Sequence, residues 1–380
     1  MRNAVKTCAG AIGTILALVI NEVPASAVEF AIVGARAAGM GGAGVAVTSD
    51  AYATYWNPAG LAMSKGVDVL LGASVQGVDR LGLKQTLNDL KNFNGNDFSQ
   101  ANINYANSIA SRFNQPGASI SAIAAGGLYV KGSYGDHAFG LNISDVATGG
   151  MYTSVPVTVG TAGIVSIAGQ MAVNGLEARQ AVASYAYSFL DRTLAFGVSG
   201  KFIQGAAYTG TAFIQGGNNI TFSHNLGTPA LSTAFSLDAG ALYRPTEWLR
   251  VGLVAKDLTQ PTFRTPIGTE FKLTSQVRAG AAVNPYRSMT VTVDADVIAN
   301  HTLVPGVKSQ VVAIGAEQAL LSDRLFVRLG AYKNTVDTHS YITPTAGFGM
   351  RFGAFVFDIG GGYDFRSSGA LGSFTLGMTF

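Results

Sequence analysis

The sequence contains few residues that could form a catalytic site. Its four histidines are His137, His224, His301 and His339. A serine or aspartate beside a histidine could support hydrolysis, and Asp337 and Ser340 lie close to His339. Such neighbours are common by chance in a polar loop, and no two histidines have the spacing of a metal site. We therefore predict that the protein is not an enzyme and needs no metal or cofactor.

A glycine motif near the N-terminus offers a second kind of chemistry. Gly39, Gly41 and Gly44 have the GxGxxG spacing of a dinucleotide-binding loop. That loop requires a preceding strand in a βαβ unit and an acidic residue downstream, whereas a long series of alternating strands follows here. The small residues of 34–62, with a turn favoured at Asn57-Pro58, instead predict a segment that packs tightly inside another structure.

The composition indicates a membrane protein built from strands. Only 12% of the 380 residues are charged, and 48% are hydrophobic. A soluble protein usually has about a quarter of its residues charged, and a helical membrane protein has apolar runs of about 20 residues. Beyond the N-terminus the one uncharged stretch is 149–176, whose glycines, threonines and Pro156 argue against a helix. The net charge of +3 is scattered and does not indicate nucleic-acid binding.

The N-terminus has the pattern of an export signal. Two basic residues precede an apolar stretch from Ala9 to Ile20, and small residues follow up to Ala27. This pattern predicts that residues 1–27 are a signal peptide, because the apolar stretch is too short to span a bilayer. Cys8, the only cysteine, would be removed with it, which excludes a disulfide framework in the mature chain.

From Val67 onwards, segments of about ten residues alternate between apolar and polar or small side chains, as a strand with two unlike faces does. Fourteen such segments lie near residues 67–79, 119–131, 137–147, 178–189, 193–205, 232–243, 248–258, 275–285, 288–299, 308–319, 324–333, 340–350, 354–364 and 371–380. The connections between them alternate between short and mostly longer ones, which is typical of outer-membrane barrels. We therefore predict an all-β fold, a fourteen-stranded antiparallel transmembrane β-barrel over 67–380.

The C-terminus supports export to the outer membrane. Residues 372–380 alternate strictly and end on Phe380, and they resemble the terminal strand that bacterial outer-membrane proteins present to their assembly machinery. The expected location is the outer membrane of a Gram-negative-type bacterium. The expected partners are outer-membrane lipid and the barrel-assembly machinery.

The segment before the barrel, residues 28–66, is predicted to be an N-terminal hatch inside the lumen. Its run from Ala35 to Ala62 resembles the hatch of the FadL-like superfamily of fourteen-stranded barrels, closest to the branch with PorV-type and TraF-like conjugal transfer proteins. Segments 237–243 and 251–258 resemble the same branch. The residues that match the hatch motifs are Gly39, Gly41, Gly42, Asn57, Pro58 and Ala59.

This resemblance implies a barrel closed by a hatch but leaves the function open. FadL-type members admit hydrophobic molecules, and PorV-type members serve protein secretion. Our leading hypothesis is a transport barrel that takes up hydrophobic small molecules past the hatch. The alternative is a PorV-like or TraF-like barrel that docks an exported protein or supports secretion or conjugation.

Two external segments could contribute to either function. Residues 80–113 carry apolar side chains at helical spacing, which predicts a helical insert at the barrel mouth. In the uncharged stretch 149–176, we predict an apolar external loop that either forms a hydrophobic entry groove or packs over the hatch. Its apolar residues include Val157, Val159, Ile164, Val165, Ile167 and Met171.

The strand phase also predicts charged residues in the lumen. They are Lys201, Asp238, Arg250, Lys256, Arg278, Asp294, Asp296, Arg328 and Asp358. The mixture of signs favours paired networks that hold the hatch. A selective polar channel is the alternative, and it would require the hatch to move.

Overall fold

The computed structural model describes residues 29–215, 219–222, 228–366 and 368–380. The predicted signal peptide, with Cys8, and His224 lie outside the described residues. Within the described ranges no helix is long and apolar enough to cross a membrane.

Fourteen antiparallel strands form the wall of the molecule. They are β1 (Val67–Arg80), β2 (Ser119–Tyr134), β3 (His137–Gly160), β4 (Ser166–Phe189), β5 (Leu194–Gln215), β6 (Ala230–Thr246), β7 (Leu249–Lys256), β8 (Gln276–Tyr286), β9 (Met289–Asp296), β10 (Val311–Leu320), β11 (Leu325–Asn334), β12 (Thr343–Phe352), β13 (Phe355–Tyr363) and β14 (Ala370–Thr379). Each pairs with its neighbours along the chain, and β1 pairs with β14. The sheet is therefore a closed barrel, and the predicted fold class is confirmed.

The alternation of side chains along each strand divides the wall into two faces. In β3, Phe139, Leu141 and Ile143 are exposed on the outside, whereas the intervening Gly140 and Asn142 are buried on the inside. The outer face is thus suited to hydrocarbon and the inner face to a polar lumen.

The connections differ at the two ends of the barrel. Turns of two to four residues join strands at one end, and longer connections lie at the other, external end. The first external connection contains α3 (Leu83–Lys91) and α4 (Gln100–Phe113), within the segment predicted as a helical insert. Two others contain short strand pairs, Thr262–Arg264 with Glu270–Lys272 and Asn300–His301 with Lys308–Ser309.

One side of the wall is much taller than the other. Strands β3 and β4 have 24 residues each, whereas β7 has eight. The prediction of an external loop over 149–176 is therefore wrong, because most of this stretch forms a β-hairpin that extends both strands. Val155, Val157 and Val159 recur at every second position, as in a strand. The pairing of the two strands is nevertheless irregular between Thr153 and Thr158.

The segment before β1 lies inside the barrel. It contains α1 (Ala35–Gly39), α2 (Ala53–Trp56) and a 3₁₀ helix (Pro58–Met63), and nearly all of its residues are buried. Trp56 holds two parts of this segment together, since its Nε1 donates to the carbonyl of Val33 at 2.8 Å and its ring stacks on Phe30. This segment, residues 29–66, is called the hatch below.

Candidate functional site

The hatch contacts the wall through inward-facing glycines on the strands. This glycine belt comprises Gly197, Gly240, Gly252, Gly280, Gly315, Gly330, Gly347 and Gly360. A Cβ atom added to Gly330 would lie 2.5 Å from the backbone nitrogen of Gly41, and one added to Gly315 would lie 2.5 Å from the carbonyl oxygen of Met40. The belt therefore lets the hatch backbone approach the strands more closely than any side chain would allow.

The predicted hatch glycines lie at the same contact. A Cβ on Gly39 would lie 2.9 Å from Cα of Gly347. Gly41 has a φ of 71° and donates its N–H to Thr345 Oγ1 at 2.9 Å. Gly42 has a φ of 84°, a left-handed conformation that favours glycine. These three residues turn the hatch chain against strands β10 to β12.

The Asn57-Pro58-Ala59 element lies against the opposite wall. Asn57 is fully buried, and its Nδ2 lies 3.2 Å from the carbonyl oxygen of Ala241 and 3.4 Å from that of Leu253. Its Oδ1 accepts the N–H of Ala59 at 3.1 Å, which caps the 3₁₀ helix that begins at Pro58. The side chain of Asn57 thus both caps the 3₁₀ helix and connects the hatch to β6 and β7.

Buried ion pairs link the hatch to the lumen wall. Arg328 is fully buried and pairs with Glu317 and with Asp358, each at 2.6 Å. Arg36 of the hatch pairs with the same Glu317 at 2.7 Å. Glu317 therefore joins a hatch cation to a wall cation, and its removal would take one ion-pair partner from both Arg36 and the buried Arg328.

Further ion pairs lie on and near strands β5 to β9. Lys201 pairs with Asp238 at 2.7 Å and with Asp257 at 2.5 Å. Arg278 pairs with Asp296 at 2.6 Å. The lysine pairs lie within the wall, whereas the guanidinium of Arg278 also lies over the hatch ring of Phe30, 4.0 Å from its centroid.

Three further predicted lumen residues touch the hatch. Asp294 Oδ2 accepts the backbone N–H groups of Gly44 and Val45 at 2.7 and 2.8 Å. Arg250 donates to the hatch carbonyl of Ala46 at 3.3 Å. The ammonium group of Lys256 lies over the hatch rings of Tyr55 and Phe30, at 3.4 and 4.4 Å from their centroids. All nine predicted lumen residues face inward, and seven of them contact the hatch or belong to an ion-pair network that does.

The sequence prediction did not include several residues of this site. Glu317, Arg36 and Asp257 hold central places in the ion pairs. Glu317 has the same inward phase in β10 as Gly315, and each belt glycine occupies an inward position of its strand. The strand phase could therefore have placed the belt glycines and Glu317 on the inner face, but not their contacts with the hatch.

The apolar residues of the β3–β4 hairpin are packed rather than open. Val157, Val165, Ile167 and Met171 are buried, Val159 is half-buried and Ile164 is exposed. The four buried residues, with Val159 packed against them, form the helix–hairpin cluster with Leu83, Leu90, Ile109 and Phe113 of helices α3 and α4. Met171 has the outward phase of Tyr185 in β4, so the helices cover the outer face of the hairpin. This arrangement favours packing over an open entry groove, and the hairpin packs against the helices and not over the hatch.

The three histidines that the structure describes lie in different elements of the fold. His137 contacts Tyr185 at the turn end, and His301 lies in a short external strand pair. His339 is half-exposed at the mouth, 3.7 Å from Asp337. Within the described residues no group of three histidine, cysteine or acidic side chains could hold a metal ion.

Asp337 serves an ion pair at the mouth rather than a histidine. Partial burial acts to raise its pKa, but the hydrogen bonds from Arg80 and from the His339 backbone outweigh burial and hold the pKa below its usual value. Ser340 Oγ accepts the Asn334 N–H, and among the described contacts it makes no hydrogen bond to His339. This geometry is that of a loop-stabilising pair.

Two small cavities flank the hatch. One, called the chamber below, leaves about 40 Å³ of free space and is lined by hatch residues Thr54 and Tyr55 and by polar wall residues such as Asn142 and Gln180. The other lies at the mouth near Arg80 and leaves about 90 Å³. Both have room for water molecules only, since a benzene-sized ligand needs about 150 Å³.

An antiparallel barrel of fourteen strands, with an apolar outer face and its N-terminal segment inside the lumen, defines the class of hatch-containing outer-membrane β-barrels. Residues 54–296 match the family described as F plasmid transfer operon, TraF, protein. The chain belongs to this TraF family, the branch that the resemblance predicted.

Solved structures share the same architecture. The CymD monoaromatic hydrocarbon channel is 13% identical, with a TM-score of 0.57 over 93% of this chain and 98% of that one. The Pseudomonas putida toluene transporter TodX is 13% identical, with a TM-score of 0.56 over 91% and 98%. The Ralstonia pickettii toluene transporter TbuX is 15% identical, with a TM-score of 0.54 over 91% and 97%. These similarities establish the fold. No curated protein matches the sequence.

Proposed function

We propose that this barrel carries a hydrophobic small molecule across the outer membrane, past its N-terminal hatch. The observation that supports this most is the hatch itself, which fills the lumen and meets the wall through glycines, apolar side chains and defined polar contacts. A segment that is separate from the wall strands can shift as a unit, whereas a purely structural barrel interior needs no separate segment.

The similarity to hydrocarbon channels supports the choice of an apolar cargo. CymD is a monoaromatic hydrocarbon channel, and TodX and TbuX are toluene transporters. The helix–hairpin cluster supplies an apolar region on the tall side of this barrel's mouth. We infer that an apolar molecule first contacts this region, between the helices and the hairpin, before it reaches the lumen.

Shortening the hairpin tests this step. Tyr152 and Ala172 are already paired, so a short polar turn can replace residues 153–171 while the strands below remain intact. Uptake of labelled toluene by cells that carry this variant should fall to the level of cells without the barrel, because the apolar cluster is lost. The matched control is Ile164→Ser, which changes an exposed residue at the hairpin tip.

Two outcomes would count against the proposal. Unchanged uptake by the shortened variant would remove the hairpin from the route, and absence of uptake by the parent barrel would contradict transport of this cargo class.

The second candidate function is docking of an exported protein, which the family's link to plasmid transfer favours. A stoichiometric protein partner crosslinked at the external helices α3 and α4, in cells where toluene uptake is absent, would support docking instead.

A further inference from the structure

A second structure enters the lumen from the external end. The hairpin of residues 262–272, called the outer hairpin, buries Phe263 completely and Phe271 almost completely. Both rings pack with Leu176, Ala178, Ile203 and Ala207 of the wall. Leu303 from the next external loop joins the same cluster. The outer hairpin therefore forms an apolar layer inside the mouth.

A single wall glycine accommodates this layer. A Cβ atom added to Gly205 of β5 would overlap the ring of Phe263. Gly205 thus serves the outer hairpin as the glycine belt serves the hatch, by allowing a close approach to the strand.

The order of residues along the strands places the chamber between the two structures. In β5, Gly197 meets the hatch, Lys201 lines the chamber, and Ile203 to Ala207 meet the outer hairpin. In β4, which runs the opposite way, Gln180 lines the chamber and Leu176 meets the outer hairpin. A molecule in the chamber would therefore lie between the hatch and the outer hairpin.

The two layers differ in chemistry. The hatch is held by ion pairs, backbone hydrogen bonds and glycine contacts, and it also packs against apolar wall residues such as Leu70, Tyr129 and Leu242. The outer hairpin packs through aromatic and aliphatic side chains, and its Arg264–Glu270 pair is exposed to solvent. Contact with an apolar molecule would compete with the packing of the outer layer and leave the ion pairs and backbone hydrogen bonds of the hatch intact.

We propose that the outer hairpin is a second gate, which opens for apolar molecules independently of the hatch and closes the chamber from the outside. This gate deepens the proposed function, because it assigns the first selection step to Phe263 and its packing against Gly205. The hatch then controls a later step.

Thiol accessibility from outside the cell tests the gate without any substrate. The reporter is Gln180→Cys in the chamber, and a membrane-impermeant thiol reagent is added to intact cells. Adding Phe263→Ala should speed labelling by roughly a hundredfold, because truncation of a buried phenylalanine removes packing that holds the hairpin closed. The matched control, Ile267→Ala, changes an exposed residue of the same connection and should leave the rate unchanged.

A second variant keeps the test decisive if Phe263→Ala folds poorly. Gly205→Ala should also speed labelling by displacing the ring, whereas Gly200→Ala, whose Cβ would meet Phe235 at an ordinary 3.4 Å, should not. Rapid labelling of the parent reporter, or equal rates in all folded variants, would overturn the gate. Because no cargo is used, failure here is separate from failure of the uptake experiment.

Discussion

Replacing Gly330 with valine is expected to displace the hatch and convert the barrel into a conducting pore. A Cβ at this position would lie 2.5 Å from the backbone of Met40 and Gly41, neither of which can move away as a flexible side chain could. Overpacking of this kind usually costs about 1–3 kcal/mol, and the hatch is the element free to shift.

Conductance of the purified barrel in planar bilayers measures this effect. The matched control is Gly372→Val on β14, where an added Cβ meets no atom within 4 Å. A folded Gly330→Val barrel with the conductance of the control would show that the belt does not determine the hatch position. Gly330→Ala provides a milder variant if the valine barrel fails to assemble.

Replacing Arg328 with alanine should cause the largest loss of stability in the wall. Its guanidinium is fully buried between Glu317 and Asp358, so its removal takes one cation from each carboxylate and leaves Glu317 paired with Arg36 and Asp358 paired with Arg351. Breaking a buried pair in this way typically costs about 3–5 kcal/mol. The free energy of unfolding, from urea titration of the barrel in detergent, measures the loss.

The control for this prediction is Arg264→Ala, which breaks the exposed Arg264–Glu270 pair and should cost about 0–1 kcal/mol. In the Arg328→Ala background, Asp358→Asn should recover part of the stability, because it removes a buried carboxylate that has lost its shorter ion pair and keeps the one to Arg351. Equal losses in the Arg328 and Arg264 variants would contradict the importance of the buried network.

Strand alternation allowed most of the barrel to be predicted from the sequence. The phase of each strand is set by the requirement that one face meets lipid and the other a polar lumen, so it identified fourteen strands and the inward position of residues such as Arg328 and Asp294. The upper halves of β3 and β4 were missed, because above the membrane neither face has to be charged or lipid-exposed.

The contacts between distant segments could not be predicted in the same way. Glu317 is one inward residue among many until the fold places Arg36 beside it. The belt glycines resemble ordinary small residues until the hatch backbone lies against them. Phe263 lies in a short strand pair whose sequence does not indicate whether it points into the lumen or into solvent. Pairing across the lumen depends on the closed topology, which local patterns do not encode.

Movement of the hatch during uptake is the central requirement of the proposed function, and a reversible lock tests it. The side chains of Thr54 in the hatch and Asn142 in β3 touch, with Nδ2 of Asn142 3.0 Å from Oγ1 of Thr54. Cysteines at both positions can be joined by oxidation and separated by reduction. The single variant Asn142→Cys controls for the substitution and the redox treatment.

The decisive measurement is toluene uptake by intact cells that carry the double-cysteine barrel, oxidised and then reduced. We predict that uptake is lost while the disulfide links hatch and wall, and that it returns after reduction. Equal uptake in the oxidised and reduced states, with the crosslink verified, would show that cargo does not pass the hatch and would contradict the proposed route.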